Sequence, residues 1–373
     1  MTARFRPTVA DVDLDAIRHN ARLLKPPGVE LMAVVKANGY GHGDVAVATA
    51  ALDGGATWLG VALVEEGIRL RDAGIEAPIL VLTEFPPGSE KDALAAGLTA
   101  TLYTDEGLER VAEAGRALGR PVGVHVKVDT GMHRVGLHPD RAVRFVAAVA
   151  RAGLDLEGLW THFAVSEELG SPSVREQLDR FGRVVAALES GGVRPRYRHA
   201  ANSAAAMALR ESHFDLVRVG VALYGLSPGP ALDGRLDLRP AMSLRSRVSL
   251  AKRVAAGEAL SYGLRYRLDR ESTIATVPVG YADGYLRALS ERGRVLIRGR
   301  RYPVAGTITM DQLLVDLGDD PVEAGDEVVL FGEQGPERIR AEEVAGWAGT
   351  IGYEIVCAVS ARVPREYRRG GDG

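Results

Sequence analysis

The sequence predicts a (β/α)8 TIM barrel followed by a mostly β C-terminal domain, and three observations carry that expectation. From about residue 10 to 235, short apolar runs alternate with amphipathic stretches, the pattern of a parallel sheet. Eight such runs within about 210 residues suit a closed barrel better than an open sheet. Near S-P-G-P-A-L-D-G-R-L-D-L-R-P (227–240) the pattern changes to strand-like runs broken by Gly and Pro turns. The expected division is therefore a barrel over 10–235 and a β domain over 236–373, with residues 1–9 a candidate to join the latter.

The elements follow in order. A leading helix is expected at L-D-A-I-R-H-N-A-R-L-L-K, before a first strand that ends on Lys36. Strands recur at T-W-L-G-V-A-L, P-I-L-V-L, L-T-A-T-L-Y, V-G-V-H-V-K-V, L-E-G-L-W-T-H, R-Y-R-H-A and D-L-V-R-V. Helical patterns such as V-E-E-G-I-R-L-R-D-A and R-E-Q-L-D-R-F-G-R-V-V-A-A-L lie between them. The segment after the first strand, V-V-K-A-N-G-Y-G-H-G, lacks G-x-G-x-x-G, which disfavours a doubly wound nucleotide fold. In the second domain V-L-I-R-G-R-R-Y-P-V-A-G-T-I-T-M and D-E-V-V-L-F read as strands, and A-E-E-V-A-G-W-A-G as a helix. The run I-V-C-A-V-S-A reads as strand-like, with Cys357 in the core, and the R-R-G-G-D-G tail as frayed.

Composition excludes several classes. The formal net charge is −3, so no basic field attracts nucleic acid or an anionic membrane. Cys357 is the only cysteine, which rules out an intramolecular disulfide and fits a reducing compartment. No stretch approaches the roughly 20 apolar residues that span a bilayer, and the first residues carry no apolar core of signal-peptide length. A cytoplasmic location is expected.

Barrel enzymes place their chemistry at the C-terminal ends of the strands, often with a phosphate in the last two loops. Lys36 ends strand one, and Arg134 follows strand five in D-T-G-M-H-R-V-G. His162 ends strand six; His199, Asn202 and Ser203 follow strand seven; Arg218 and Gly220 end strand eight. Each has a bland reading by itself: a rim salt bridge for Lys36, a core histidine for His162, an ion pair for Arg218, an N-cap for Ser203. Independent structural roles would not fall together at one barrel face. A buried amine is costly unless paired, neutralised or chemically consumed, and small donors sit where a phosphate is expected. Together these suggest pyridoxal 5′-phosphate, joined to Lys36 as a Schiff base.

At V-V-K-A-N-G-Y-G-H-G the sequence resembles the alanine racemase family, pyridoxal-phosphate enzymes built from a barrel and a C-terminal β domain. The resemblance extends through V-K-V-D-T-G-M-H-R-V-G, T-H-F-A, H-A-A-N-S-A, R-V-G-V-A-L-Y-G, L-S-Y-G, V-G-Y-A-D-G, T-M-D-Q and I-G-Y-E, and so spans both domains. It implies roles for particular residues. Lys36 matches the Schiff-base lysine, and Tyr262 the second catalytic base, which in the family comes from the neighbouring subunit of a homodimer. Tyr40, Ser203, Gly220, Val221 and Tyr353 match phosphate contacts. Arg218 matches the arginine facing the pyridine nitrogen, with His199 behind it, and His162 the histidine near the ring. Arg134 and Met310 match the groups that hold the substrate carboxylate. Lys127 matches a lysine that is often carbamylated. Two positions depart from common family usage, Thr309 where some members carry cysteine and Gly39 where alanine is common. The activity implied is interconversion of L- and D-alanine, supplying D-alanine for peptidoglycan, with no metal. The alternatives are a racemase of another small amino acid such as serine, or a non-catalytic pyridoxal-phosphate-binding protein. A decarboxylase of related fold would need a catalytic cysteine.

Overall fold

The computed structural model describes residues 5–368; the tail beyond Arg368, expected to fray, lies outside them. Contacts divide the chain into two compact units. Among the described residues, one runs from Ala16 to Gly39 and from Asp44 to Arg239; the other holds Phe5–Asp15, Tyr40–Gly43 and Pro240–Arg368.

The first unit is the barrel. After a strand that belongs elsewhere (β1, Val9–Asp13) and the helix Leu14–Leu24 come eight parallel strands: β2 (Glu30–Val34), β3 (Trp58–Val61), β4 (Ile79–Val81), β5 (Leu98–Leu102), β6 (Gly123–Lys127), β7 (Asp155–Trp160), β8 (Tyr197–His199) and β9 (Leu216–Val219). Their order runs β8-β7-β6-β5-β4-β3-β2-β9, with β2 pairing β9. The remaining seam is bridged by Asp215 N–H donating to the Arg198 carbonyl at 3.0 Å and Arg218 N–H to that of Ala201 at 3.0 Å. A nearly closed barrel results. All eight runs expected as barrel strands are strands. They are buried on both faces because helices cover the outside; Met32, Trp58, Leu80 and Leu216 form one buried cluster. Helix termini carry ordinary signals, for instance Thr104 accepting from Gly107 N–H at 2.9 Å and Pro139 opening the helix Pro139–Arg151.

The second unit is mostly β, as expected. A mixed sheet runs Arg300–Pro303, Arg294–Ile297, Glu327–Gln334, Met242–Arg247, β1, Arg365–Arg368. Beside it lie a three-stranded sheet (Leu250–Val254, Ser272–Val277, Leu313–Asp316) and a small hairpin, Ala259–Leu260 with Tyr266–Arg267.

Three details differ from the expectation. The strand Val9–Asp13 extends past residue 9 and pairs with Met242–Arg247 and Arg365–Arg368, so the β unit begins in sequence before the barrel does. Tyr40–Gly43 leaves the barrel set altogether. The I-V-C-A-V-S-A run is not a strand: Gly352–Ala358 is a helix, and Cys357 is exposed on it rather than core. A five-residue apolar run fits either period, and here the buried Ile355 and Val356 precede an outward-facing cysteine.

Candidate active site

Lys36 stands directly after β2, half-buried. The backbone then makes a left-handed turn, with φ of 54°, 54°, 60° and 49° at Ala37, Asn38, Gly39 and Tyr40. Such a turn costs roughly 1–2 kcal/mol for each residue with a Cβ, so other groups must hold it. Glu66 does so: one carboxylate oxygen accepts from Ala37 N–H at 2.6 Å and the other from Ala62 and Leu63 N–H at 2.8 and 3.1 Å. Gly39 N–H also donates to the Val35 carbonyl at 2.9 Å. The amine therefore projects from a fixed turn.

Arg218, near the end of β9, is 3% exposed. Its guanidinium reaches His199 Nδ1 and His162 Nδ1, both at 3.1 Å, and donates to the carbonyls of Thr161 at 2.8 Å and Ala200 at 3.2 Å. It also lies 4.6 Å over the Trp160 ring, which stacks on His199. None of these partners is a carboxylate. Burial pushes the Arg218 guanidinium down to about 9, leaving it protonated at neutral pH. Lys127, 4.3 Å over the same indole, is pushed down to about 7 by burial and then by Arg218 and Arg134. His162 and His199 are held far below the usual histidine range, by burial first and Arg218 second. Both are therefore neutral, and each presents a lone pair at Nδ1 to the guanidinium.

Arg134 is exposed, on a loop fixed from beneath. Asp129 accepts from Gly131, Met132 and His133 N–H at 3.0 to 3.1 Å. These bonds outweigh partial burial and keep its carboxyl below the usual range. Gln177, from the helix Pro172–Ser190, donates to the His162 carbonyl at 3.0 Å and to Thr130 Oγ1 at 3.3 Å, so one buried amide ties the two loops together.

Ser203 opens the short helix Ser203–Ala208 but does not cap it; Asn202 Oδ1 accepts from Ala205 N–H at 3.1 Å. Ser203 Oγ instead accepts from Gly220 N–H at 3.0 Å and Ala222 N–H at 3.4 Å. The Gly220 amide is thus not free, and the hydroxyl proton of Ser203 is what remains to donate. Val221 follows in the 3-10 turn Val221–Tyr224.

The remaining expected residues lie in the β unit. Tyr40 and Tyr353 are near one another, and burial, followed by Cys357 and Tyr353, raises the Tyr40 phenol. Tyr262 lies in the loop of the small hairpin, with Ser261 and Leu264 at positive φ. Ser261 Oγ donates to the Thr307 carbonyl at 2.6 Å, and Thr307 Oγ1 to the Tyr262 carbonyl at 2.8 Å. The backbone is pinned while the side chain is 74% exposed; Met310, on the neighbouring loop, is 53% exposed. The structure thus gathers Lys36, Lys127, Arg134, His162, His199, Ser203, Arg218, Gly220 and Val221 in the barrel unit, and Tyr40, Tyr262, Met310 and Tyr353 in the β unit.

Sequence reasoning passed over Glu66, Gln177, Trp160 and His125. For His125 a signal existed: in V-H-V-K it lies two residues before Lys127, on the same face of the strand.

A barrel whose C-terminal face gathers a lysine, an arginine held only by neutral groups, and a hydroxyl at the last two strands defines a protein built to bind anions beside a reactive amine. Comparison with known proteins makes this particular. Residues 12–228 match the family model described as "Alanine racemase, N-terminal domain", and residues 241–367 "Alanine racemase, C-terminal domain". The chain belongs to the alanine racemase family. It is 53% identical to an alanine racemase of Symbiobacterium thermophilum, covering 99% of this chain and 98% of that one. It is 46% identical to one of Desulfovibrio desulfuricans, covering 98% and 100%. Among solved structures, alanine racemase from D-cycloserine-producing Streptomyces lavendulae superposes with a TM-score of 0.94 at 45% identity, over 99% of this chain and 98% of that one. The structure from Bacillus anthracis with bound L-Ala-P gives 0.92 at 39%, over 100% and 97%.

Proposed function

We propose that the protein interconverts L-alanine and D-alanine, supplying D-alanine for peptidoglycan, and does so with pyridoxal 5′-phosphate. The observation that carries this reading is the set of buried cations around Arg218. Lys127 and Arg218 are each pushed down, and Arg218 has only histidine nitrogens, carbonyls and an indole for company. A site with that much unpaired positive charge suits an anionic cofactor and a carboxylate substrate. Bound there, the cofactor supplies a carbonyl carbon for covalent attachment to an amine and a conjugated ring that takes up the electron pair left by the α-proton.

The chain's own residues do the rest. Lys36 would hold the cofactor and, as a free amine, would move a proton at one face of the α-carbon. Tyr262 moves one at the other face. Each transfer is worth roughly 10²–10⁴-fold. The hydroxyl of Ser203, with Tyr40, Tyr353 and Val221, takes the phosphate, Gly220 lets the backbone approach it closely, and Arg134 and the Met310 amide take the substrate carboxylate. Arg218 is a donor only. It would hold the cofactor at its ring nitrogen as a donor and, offering no proton acceptor there, would favour return of the proton to the α-carbon over transamination. His162 and His199 keep it in place as neutral acceptors. Lys127, with an amine near half-neutral at pH 7, is a nucleophile for CO2; the ammonium first gives up one proton, the neutral amine loses a second as the N–C bond forms, and a cation thereby becomes a carbamate anion that would orient Arg134.

Tyr262 and Met310 are exposed, on loops whose backbones are already fixed. This supports a homodimer in which the phenol serves the partner's barrel site. The test follows α-deuterium exchange of each alanine enantiomer with added pyridoxal phosphate, in the wild type, Lys36→Ala and Tyr262→Phe. Exchange in the wild type, with each variant losing one enantiomer first, is the expected result. A wild-type protein that stays colourless with the cofactor, and yields no Lys36 adduct on hydride reduction, overturns the reading.

A further inference from the structure

Behind Arg218 a line of polar groups crosses the barrel interior. His199 Nε2 lies 2.9 Å from His125 Nδ1; His125 Nε2 is buried without a hydrogen-bond partner, and the nearest Glu157 carboxylate oxygen stands 3.8 Å away, beyond hydrogen-bond distance. Both imidazoles are completely buried. Trp58, at 5.2 Å, and Tyr197 wall in His125, and Trp160 stacks on His199 at 8° between planes.

The proton positions along this line follow from valence alone. A guanidinium only donates, so His199 Nδ1 must carry a lone pair. The proton of neutral His199 then sits on Nε2 and is donated to His125 Nδ1. That nitrogen must accept, so the His125 proton sits on Nε2, on the side where the Glu157 carboxylate stands 3.8 Å away. Each hydrogen bond runs one way, from Arg218 through His199 to His125. Burial lowers the basicity of both rings, consistent with each staying neutral.

Room for this arrangement is cut into the neighbouring strands. His125 pairs with Gly158 across a bulge in the β6–β7 ladder, and a Cβ on Gly158 would stand 2.3 Å from His125 Nδ1. A Cβ on Gly123 would stand 2.9 Å from the Glu157 carboxylate. Gly158 lies in a strand interior, where a larger residue would ordinarily pack better, and Gly123 opens its strand.

We propose that His125 is a positioning residue for Arg218, acting through His199 at the end of a one-way hydrogen-bond chain, with the Glu157 carboxylate beyond it as an electrostatic neighbour outside hydrogen-bond reach. It touches neither cofactor nor substrate. It denies His199 any other tautomer or ring orientation, and so holds the guanidinium in register with the ring nitrogen, where a misplaced donor would permit side reactions. The proposal rests on the reading of Arg218 given above, but its first test does not.

In holoenzyme carrying 15N-labelled histidine, the His125 and His199 rings, assigned from the spectra of His125→Asn and His199→Gln, are both expected as neutral tautomers protonated at Nε2. A proton on Nδ1 of either ring, or double protonation at neutral pH, overturns the chain whether or not the protein racemises alanine. Absence of racemisation in the wild type would sink the functional reading alone. The second test uses His125→Phe, which removes the acceptor, and His125→Asn, whose carbonyl can stand where Nδ1 was. The Phe variant should lower kcat roughly tenfold or more with KM nearly unchanged, and raise the fraction of turnovers ending in transamination by about the same factor. The Asn variant should recover to within about threefold. Phe and Asn behaving alike and like the wild type overturns the positioning role; should Phe fail to fold, the ring tautomers still decide. Glu157→Leu should shift the His125 Nε2 resonance without moving its proton, and an unmoved resonance removes Glu157 as its electrostatic neighbour.

Discussion

The two units solve the problem of placing reactive groups in opposite ways. In the barrel, Arg218 and Lys127 are each 3% exposed, and Arg218 is held by two histidine nitrogens, two carbonyls and the face of an indole. In the β unit Tyr262 is 74% exposed, with only its backbone held. Burial does the tuning in the first: it drives down Lys127 and Arg218, and no solvent screens one cation from the next. The second presents a phenol from a rigid loop and leaves its surroundings to another surface. The barrel fixes its charged groups by burial, whereas the β unit fixes a backbone and leaves a side chain exposed.

The strongest way to break that comparison is Lys36→Ala. If the barrel holds the cofactor covalently, this variant should lose about 10⁴-fold or more in racemisation, since one base and the anchor go together, and it should lose the visible absorbance of the bound cofactor as well. Retained absorbance with lost turnover would leave Lys36 a base but not the anchor. Tyr262→Phe comes next. It should cost roughly 10²–10⁴-fold in activity and leave cofactor absorbance intact, with stability changed by less than about 0.5 kcal/mol because the side chain is exposed. Mixing it with Lys36→Ala under subunit exchange should restore activity, since hybrid dimers then contain one intact pair. No recovery, with exchange shown by mass, would place the phenol in its own chain's site.

The barrel's buried charge gives a smaller effect with a defined pH window. Lys127 titrates near 7 in the folded protein against roughly 10.4 unfolded. The unfolded chain therefore binds more protons between those values, and stability rises with pH across them. The penalty of burying a charged Lys127 is absent above the unfolded value, grows as pH falls, and is complete below about 7. Urea midpoints measured from pH 7 to 10 in CO2-free buffer should rise more steeply in the wild type than in Lys127→Met. Parallel profiles would show that the folded amine titrates normally.

Most of this was legible in the sequence, for reasons that differ by region. Barrel strands are buried on both faces, so they stand out as continuous apolar runs, and the strand-end rule then points at Lys36, His162, His199 and Arg218 without further help. The strand Val9–Asp13 was not legible, because its partners lie more than two hundred residues away at Met242–Arg247 and more than three hundred at Arg365–Arg368. Cys357 misled because a short apolar run carries no decisive period. His125 was half hidden by its company: in V-G-V-H-V-K-V its place on the face of Lys127 was legible, but Gly158 opposite is what shows that the strand was shaped around an imidazole. Tyr262 gave no local signal of a partner's site; exposure is a property of the fold, and only the resemblance named it.

The smallest effect concerns the turn that carries Lys36. Gly39 sits at φ 60°, ψ 47°, and a Cβ there would lie 3.2 Å from the Asp44 backbone, so alanine, although common in the family at this place, fits only if that backbone gives by a few tenths of an ångström. The left-handed conformation costs a side chain roughly 1–2 kcal/mol, while alanine recovers roughly 0.4–1 kcal/mol by restricting the unfolded chain. Gly39→Ala should therefore destabilise by about 0.5–1 kcal/mol in urea unfolding. Its kcat should stay close to wild type, because Glu66 pins the turn through Ala37 N–H rather than through residue 39. A large loss of kcat at unchanged stability would mean that the turn's freedom, and not only its position, matters to how the Lys36 amine moves between anchoring and proton transfer.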